Sequence, residues 1–133
     1  MNISDYIGLP YSDRGRGPSF DCIGFVRHVY QQELGLELPD FLRTYNSAEN
    51  TESVAAAINQ RKIDWIKVEE PKPLDLLLFK ILGHPVHVGL YLNQSDFLHC
   101  FRGCNSCLER LDSHNWNKRL LGVYRWRVGK ILS

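Results

Sequence analysis

From residue 62 onward the chain changes its pattern. Candidate strands at 63–68, 75–81, 86–92, 96–101, 106–111 and 121–128 follow one another. Breaks fall between them at Pro71/Pro73, Gly83-His84-Pro85, Asn93-Gln94-Ser95, Gly103 and His114-Asn115. Successive short strands at hairpin spacing imply an antiparallel sheet. Helical patterns lie ahead of this region and not between its strands. That order excludes an alternating βα architecture and makes the chain α+β.

The N-terminal part supplies the helices. Residues 2–8 read as a short helical turn and residues 9–20, rich in Gly, Pro and Ser, as a loop. Over 22–34, Cys22, Phe25, Val26, Val29, Tyr30 and Leu34 recur at three- and four-residue spacing and form one apolar stripe. Asp21 suits the N-cap and Gly35 the C-terminal stop. A second helix is expected over 51–61, with Val54, Ala55, Ala57 and Ile58 as its apolar face. With 133 residues the chain is expected to be one domain, 1–133, with enough core to fold without a staple.

Composition narrows the function. Lys+Arg number 16 against 15 Asp+Glu, a formal charge of +1, which gives no global pull towards nucleic acid or anionic membrane. Arg14, Arg16, Arg125 and Arg127 form no basic stripe interleaved with aromatics. The longest apolar run, Leu76-Leu77-Leu78-Phe79, is far short of the ~20 residues of a membrane helix, so no membrane insertion is expected. The first residues carry no secretory signal pattern, so the expectation is synthesis in the cytoplasm without a signal peptide. In that setting Cys22, Cys100, Cys104 and Cys107 are expected as free thiols.

Cys22 opens the first helix. A helix N-terminus favours a thiolate, and its unpaired N–H groups can hold an oxyanion. Cys22 also lies on the apolar stripe, so a buried small hydrophobe is the competing reading. A cysteine nucleophile needs a base, and the base an orienting group. Alternation sets His87, Gly89 and Tyr91 on one strand face. A neighbouring antiparallel strand, Phe97-Leu98-His99, can bring His99 beside His87. If both histidines face the Cys22 helix, the result is a Cys-His-His set.

Five segments in one order carry a resemblance: Gly8-Leu9-Pro10-Tyr11, Phe20-Asp21-Cys22-Ile23-Gly24-Phe25-Val26, Asp75-Leu76-Leu77-Leu78-Phe79, His87-Val88-Gly89-Leu90-Tyr91-Leu92 and Phe97-Leu98-His99. Together they resemble the NlpC-type cysteine peptidases, papain-like enzymes that cut the peptide stems of bacterial cell walls. The resemblance implies a nucleophile helix packed on a central antiparallel sheet. It assigns Cys22 as nucleophile, His87 as general base and His99 as the third polar residue. Tyr11 matches a loop tyrosine near the nucleophile. Asp21 matches a position associated with recognition of a substrate amine, beside its reading as an N-cap. No cofactor and no metal are implied, and the partner is a peptidoglycan peptide.

Gly35-Leu36-Glu37-Leu38-Pro39 and Glu109-Arg110-Leu111 … Trp116 … Gly122-Val123-Tyr124-Arg125 are similar to the phage-tail branch of that family. They imply a tail-assembly or tail-tip component with other tail proteins as partners, acting on the periplasmic cell wall. Three departures stand out. Ile23 replaces a frequent Ser or Trp, Leu74 replaces the usual glycine before Asp75, and Cys100, Cys104 and Cys107 lie where the family has no fixed cysteines.

Two other readings use the same residues. The first is a zinc module, because His99, Cys100, Cys104 and Cys107 supply one imidazole and three thiols. Strand alternation opposes it by sending His99 and Cys100 to opposite faces, and a metal on His99 would compete with its orienting role. The second is a structural tail protein that keeps the fold without activity. The presence of Cys22, His87 and His99 together weighs against it.

Overall fold

The computed structural model describes residues 1–39 and 64–126. The helix expected over 51–61 lies outside the described residues. A 3-10 turn, Ile3–Tyr6, is capped by the Asn2 side chain and leads into the loop. Helix α1 spans Cys22–Leu34, as the apolar spacing predicts. Its C-terminal stop is Gly35, in the left-handed region at φ 62, with its N–H donated to the carbonyls of Gln31 and Tyr30. Leu34 departs from the expected stripe: it is exposed at the helix end, whereas Ile23 is buried.

Strands β1 (Trp65–Val68), β2 (Leu76–Ile81), β3 (His84–Tyr91), β4 (Asp96–His99), β5 (Cys107–Arg110) and β6 (Leu120–Trp126) follow. They form one six-stranded sheet in the order β1-β6-β2-β3-β4-β5. Every pairing is antiparallel. The expected break at Gly83-His84-Pro85 sits earlier, at Leu82-Gly83. Both residues have positive φ, 52 and 83, which suits a two-residue hairpin turn. Pro85 therefore lies inside β3, opposite Lys80, where the register shifts. Proline has no N–H to give and is tolerated in a strand at such an irregularity; on the other edge of β2 the Lys80 N–H donates to the Arg119 carbonyl at 2.8 Å. The expected break at His114-Asn115 is a one-turn helix, α2 (His114–Asn117), capped by Ser113.

The sheet is covered on both faces. Phe25, Val26, Val29 and Tyr30 of α1 pack with Leu78, Val86, Val88, Leu90 and Leu98. On the other face Leu77, Phe79, Phe97, Trp116 and Val123 form a second core.

Two polar clamps hold the parts that frame the site. Arg125 meets the buried Asp75 carboxylate with two hydrogen bonds, 2.8 and 2.6 Å, tying β6 to the start of β2. Ser106 joins the N-terminal loop to the entry of β5 through Gly8, Leu9 and Tyr6. Leu74 adopts φ 71 where the resembling family has glycine. Its backbone is held by the Tyr91 carbonyl at 2.7 Å and by the Tyr30 hydroxyl at 2.6 Å. A left-handed leucine costs about 1–2 kcal/mol, which these contacts must offset.

Candidate active site

The Cys22 helix begins where the loop is pressed hardest against it. Asp21 is extended, and its Oδ1 accepts the Gly24 N–H at 2.7 Å. The same oxygen accepts Arg16 Nη1 at 2.9 Å. Asp21 is 1% exposed, so its carboxylate serves as cap and ion-pair partner inside the protein. A Cβ on Gly24 would stand 2.1 Å from the Gly15 carbonyl oxygen. The glycine of the D-C-x-G segment is thus demanded by the loop lying directly on the first helical turn. Ile23, in place of the frequent Ser or Trp, is a buried residue of the first turn of α1 and part of the core.

Cys22 is the first helical residue, so its N–H has no intrahelical carbonyl to serve. Its thiol lies 3.9 Å from the Val86 carbonyl and takes a hydrogen bond from the Val88 backbone. These two groups point to the β4 side of β3. Tyr91 bonds towards residues 74 and 75, and the next residue, Leu92, bonds towards Asp96. Even-numbered positions of β3 therefore face β4. Yet β3 and β4 pair only at Leu90–Leu98 and Tyr91–Phe97. The thiol occupies the fork that opens below those pairs, against the backbone on either side of His87.

Burial, reinforced by the Asp21 charge, pushes the Cys22 thiol up to about 12; the Val88 hydrogen bond and Arg16 act in the opposite direction. Tyr11 is near enough for its charge to interact with that of Cys22, and burial pushes its hydroxyl up. Cys100 lies on the same side of the sheet, its thiol 3.3 Å from the Phe20 carbonyl.

The two histidines meet as expected, with His87 Nε2 2.8 Å from His99 Nδ1. They do not face α1. His87 packs against Phe79, Phe101 and Trp116, within the second core. His99 packs against Phe97, Phe101 and Trp116. The physical reason is alternation. Val86, Val88, Leu90, Leu98 and Cys100 are the apolar residues available to cover α1, so the intervening His87 and His99 turn to the other face. The expectation that both histidines face the Cys22 helix is corrected. No hydrogen bond joins Cys22 to His87; the thiol meets only the Val86 and Val88 backbone on either side of that residue. Gly89 lets β4 come this close: a Cβ there would stand 3.0 Å from the Leu98 carbonyl oxygen and 3.3 Å from His99 Cβ.

Both imidazoles are neutral at pH 7. Burial, then the charges of His99 and Arg119, hold His87 well below its ordinary range. Burial alone lowers His99 to about 4. A neutral pair shares one proton across the 2.8 Å contact. Which ring donates follows from the outer partner. Glu109 Oε2 lies 3.5 Å from His99 Nε2, without making a hydrogen bond. A carboxylate there favours a proton on Nε2. His99 Nδ1 then accepts from His87 Nε2, and His87 Nδ1 keeps its lone pair, the form a general base requires. Phe101 and Arg119 lie beside the histidines in no motif, and the tail segment that contains Glu109 and Trp116 gives them no role at the site. Strand pairing was the available signal for Glu109, which sits opposite Phe97 on the face that also carries His99.

Residues 8–125 match the NlpC/P60 family. The chain belongs to that family. Relatives in the NlpC/P60 family include the gamma-DL-glutamyl hydrolase of Bacillus subtilis, 30% identical over 91% of this chain and 27% of its own length. The murein DD-endopeptidase MepS/murein LD-carboxypeptidase of Escherichia coli is 27% identical over 87% of this chain and 55% of its own length. The chain thus spans about a quarter to a half of these relatives. Among solved structures, the NlpC/p60 domain of the peptidoglycan hydrolase SagA is 25% identical. It aligns with a TM-score of 0.63 over 92% of this chain and 91% of that one. An NLP/P60 protein of Staphylococcus aureus, described as similar to lipoprotein, gives 29% identity and a TM-score of 0.63, with 92% of this chain and 38% of that one covered. The α+β papain-like architecture agrees with these neighbours.

Proposed function

We propose that this chain is a cysteine peptidase that hydrolyses an amide bond in peptidoglycan stem peptides, with Cys22 as nucleophile, His87 as base and His99 as its orienter. The observation that carries the reading is the fork between β3 and β4. It holds the first residue of α1 against the strand that bears the buried histidine pair. The names of the family relatives supply the substrate class. Because Cys22 is held as a thiol and His87 as a neutral imidazole, the resting state is a neutral pair. His87 Nδ1 takes the thiol proton as sulfur attacks the carbonyl carbon. The Cys22 N–H holds the oxyanion, and Tyr11 stands nearby as a second donor. The His87 imidazolium then protonates the leaving amine, and water cleaves the thioester with regeneration of the thiol. Asp21 acts through the helix cap and not by direct contact with substrate.

The finer reading is a phage or prophage tail component, in which this single domain works from a virion tail on the periplasmic cell wall. The segments 35–39 and 109–125 support it. Its test is co-sedimentation of the chain with intact tail particles; recovery of tails without it removes the assignment. The enzymatic reading is tested by digesting purified cell-wall peptides with wild type and Cys22→Ala, read by mass spectrometry. Fragments from wild type alone are expected. Fragments from both would remove Cys22 from the mechanism. Fragments from neither, with tail-derived and muropeptide substrates alike, would favour a structural tail protein.

A further inference from the structure

Behind the histidine pair lies a second cluster, built on the outer nitrogen of His99. His99 is 1% exposed, and its Nε2 has no hydrogen-bond partner. Cys107 is its direct cross-strand partner. Glu109 lies two residues further along β5 and alternates to the same face. The His99 nitrogen, Cys107 sulfur and a Glu109 oxygen all lie within 4.8 Å of one another. The His99–Glu109 separation is already 3.5 Å. That matches the roughly 3.5 Å between neighbouring ligands of a tetrahedral ion with metal–ligand bonds of about 2.0–2.3 Å. Cys107 and Glu109 are half-buried, so a small turn of either side chain closes the rest.

We propose that His99 Nε2, Cys107 Sγ and the Glu109 carboxylate form a site for one divalent ion of the zinc class. One nitrogen, one sulfur and one oxygen are the donor set such an ion takes, whereas magnesium and calcium would refuse the thiolate. The thiolate and carboxylate together balance the ion's charge. Cys104 is close enough for its charge to act on Cys107, and it or a water completes four-coordination. Cys100 takes no part, because its thiol is on the opposite face, bonded to the Phe20 carbonyl. This differs from the ligand set that the sequence alone suggests.

Occupancy has a chemical consequence, which rests on the peptidase reading above. Cys107 loses its thiol proton to solvent on binding. The metal takes His99 Nε2, so the His99 proton moves to Nδ1. That Nδ1–H must then donate to His87 Nε2, and His87 carries its own proton on Nδ1. Both rings keep one proton each, but the lone pair that would accept the Cys22 proton is gone. A bound ion therefore silences the base, and its removal restores it.

The test is a titration of the metal-free full chain with cobalt(II) as spectroscopic probe and zinc(II) by calorimetry, in a non-chelating reductant. One ion per chain and a thiolate-to-cobalt charge-transfer band are expected. Both should persist in Cys22→Ala. Cys107→Ser should abolish the band, and Glu109→Gln should weaken binding by about 10-fold or more, the scale of losing one metal contact. Absence of saturable binding, or an unchanged band in Cys107→Ser, overturns the site. Unchanged near-ultraviolet circular dichroism in the variants separates ligand loss from misfolding. Peptide digestion is then compared with and without zinc. A metal-free chain that cleaves and a zinc-loaded chain that does not supports the switch. Equal cleavage overturns the switch while leaving the site, and no cleavage by the metal-free chain counts against the peptidase reading alone.

Discussion

At the scale of the residue, the site depends on where protons sit. In the proposed reaction His87 takes the proton, and His99 only fixes its tautomer. His87→Ala should therefore lower kcat/KM by about 10²–10⁴-fold, the usual range for a lost general base, and His99→Ala by less. Steady-state kinetics on a cleavable stem peptide checks the order, and a larger loss in His99→Ala would reverse the assigned roles. A neutral thiol beside a neutral imidazole also has a pH signature. With the Cys22 thiol pushed up to about 12, its alkylation rate should keep rising through alkaline pH and show no plateau near neutrality. A thiolate–imidazolium ion pair would give that plateau. That Cys22 opens α1 and that His87 meets His99 was legible from motif order and strand pairing. Glu109, Phe101 and Trp116 were not, because they reach the histidines only through cross-strand pairing and the α2 turn.

At the scale of the element, α1 and the loop on it act as one part. Helix propensity alone says that Gly24→Ala should stabilise α1 by about 1 kcal/mol. The added Cβ would stand 2.1 Å from a backbone oxygen, however, and backbone cannot swing aside as a side chain can. The clash should win, with a net loss of about 2 kcal/mol, within the range for overpacked interiors. Denaturant unfolding measures it, and a stabilised variant would show that the loop is not held as described. The bounds of α1 were legible because cap, stripe and stop agree. The described strand ends lie within two residues of the expected ones. The larger shifts follow local chemistry, as where Leu82-Gly83 makes the turn and Pro85 is absorbed at a bulge. The face of the sheet that each histidine takes was not legible. Alternation says that His87 and Val88 diverge, but not which of them meets the helix. The apolar demand of α1 decides that.

At the scale of the whole molecule, the sheet is a partition. Cys22, Tyr11 and Asp21 lie on its helix side and the histidines on its aromatic side, with the β3 backbone around His87 between them. Keeping two neutral imidazoles in the second core links folding to acid. The unfolded chain binds a proton on each histidine near the ordinary 6.5, while folded His99 waits until about 4 and His87 is held low as well. Below 6.5 the unfolded state therefore holds more protons. Stability is complete above that pH and falls as pH drops towards 4, by up to about 1.4 kcal/mol per pH unit for each unequally held proton. Melting temperatures between pH 7 and 4 should fall in wild type and less steeply in His99→Gln. Parallel slopes would mean that His99 is not buried neutral. The overall α+β order was legible from the change of pattern at residue 62, since helix and strand periods differ.

The central claim is that Cys22 is the residue that attacks substrate. Its most direct test is intact-mass analysis of wild type quenched in acid during turnover of a stem peptide, followed by mapping of the modified residue. A thioester on Cys22 is the predicted result, absent in Cys22→Ala and depleted in His87→Ala. Product release with no adduct on Cys22, or an adduct on Cys104 or Cys107 instead, would contradict the account.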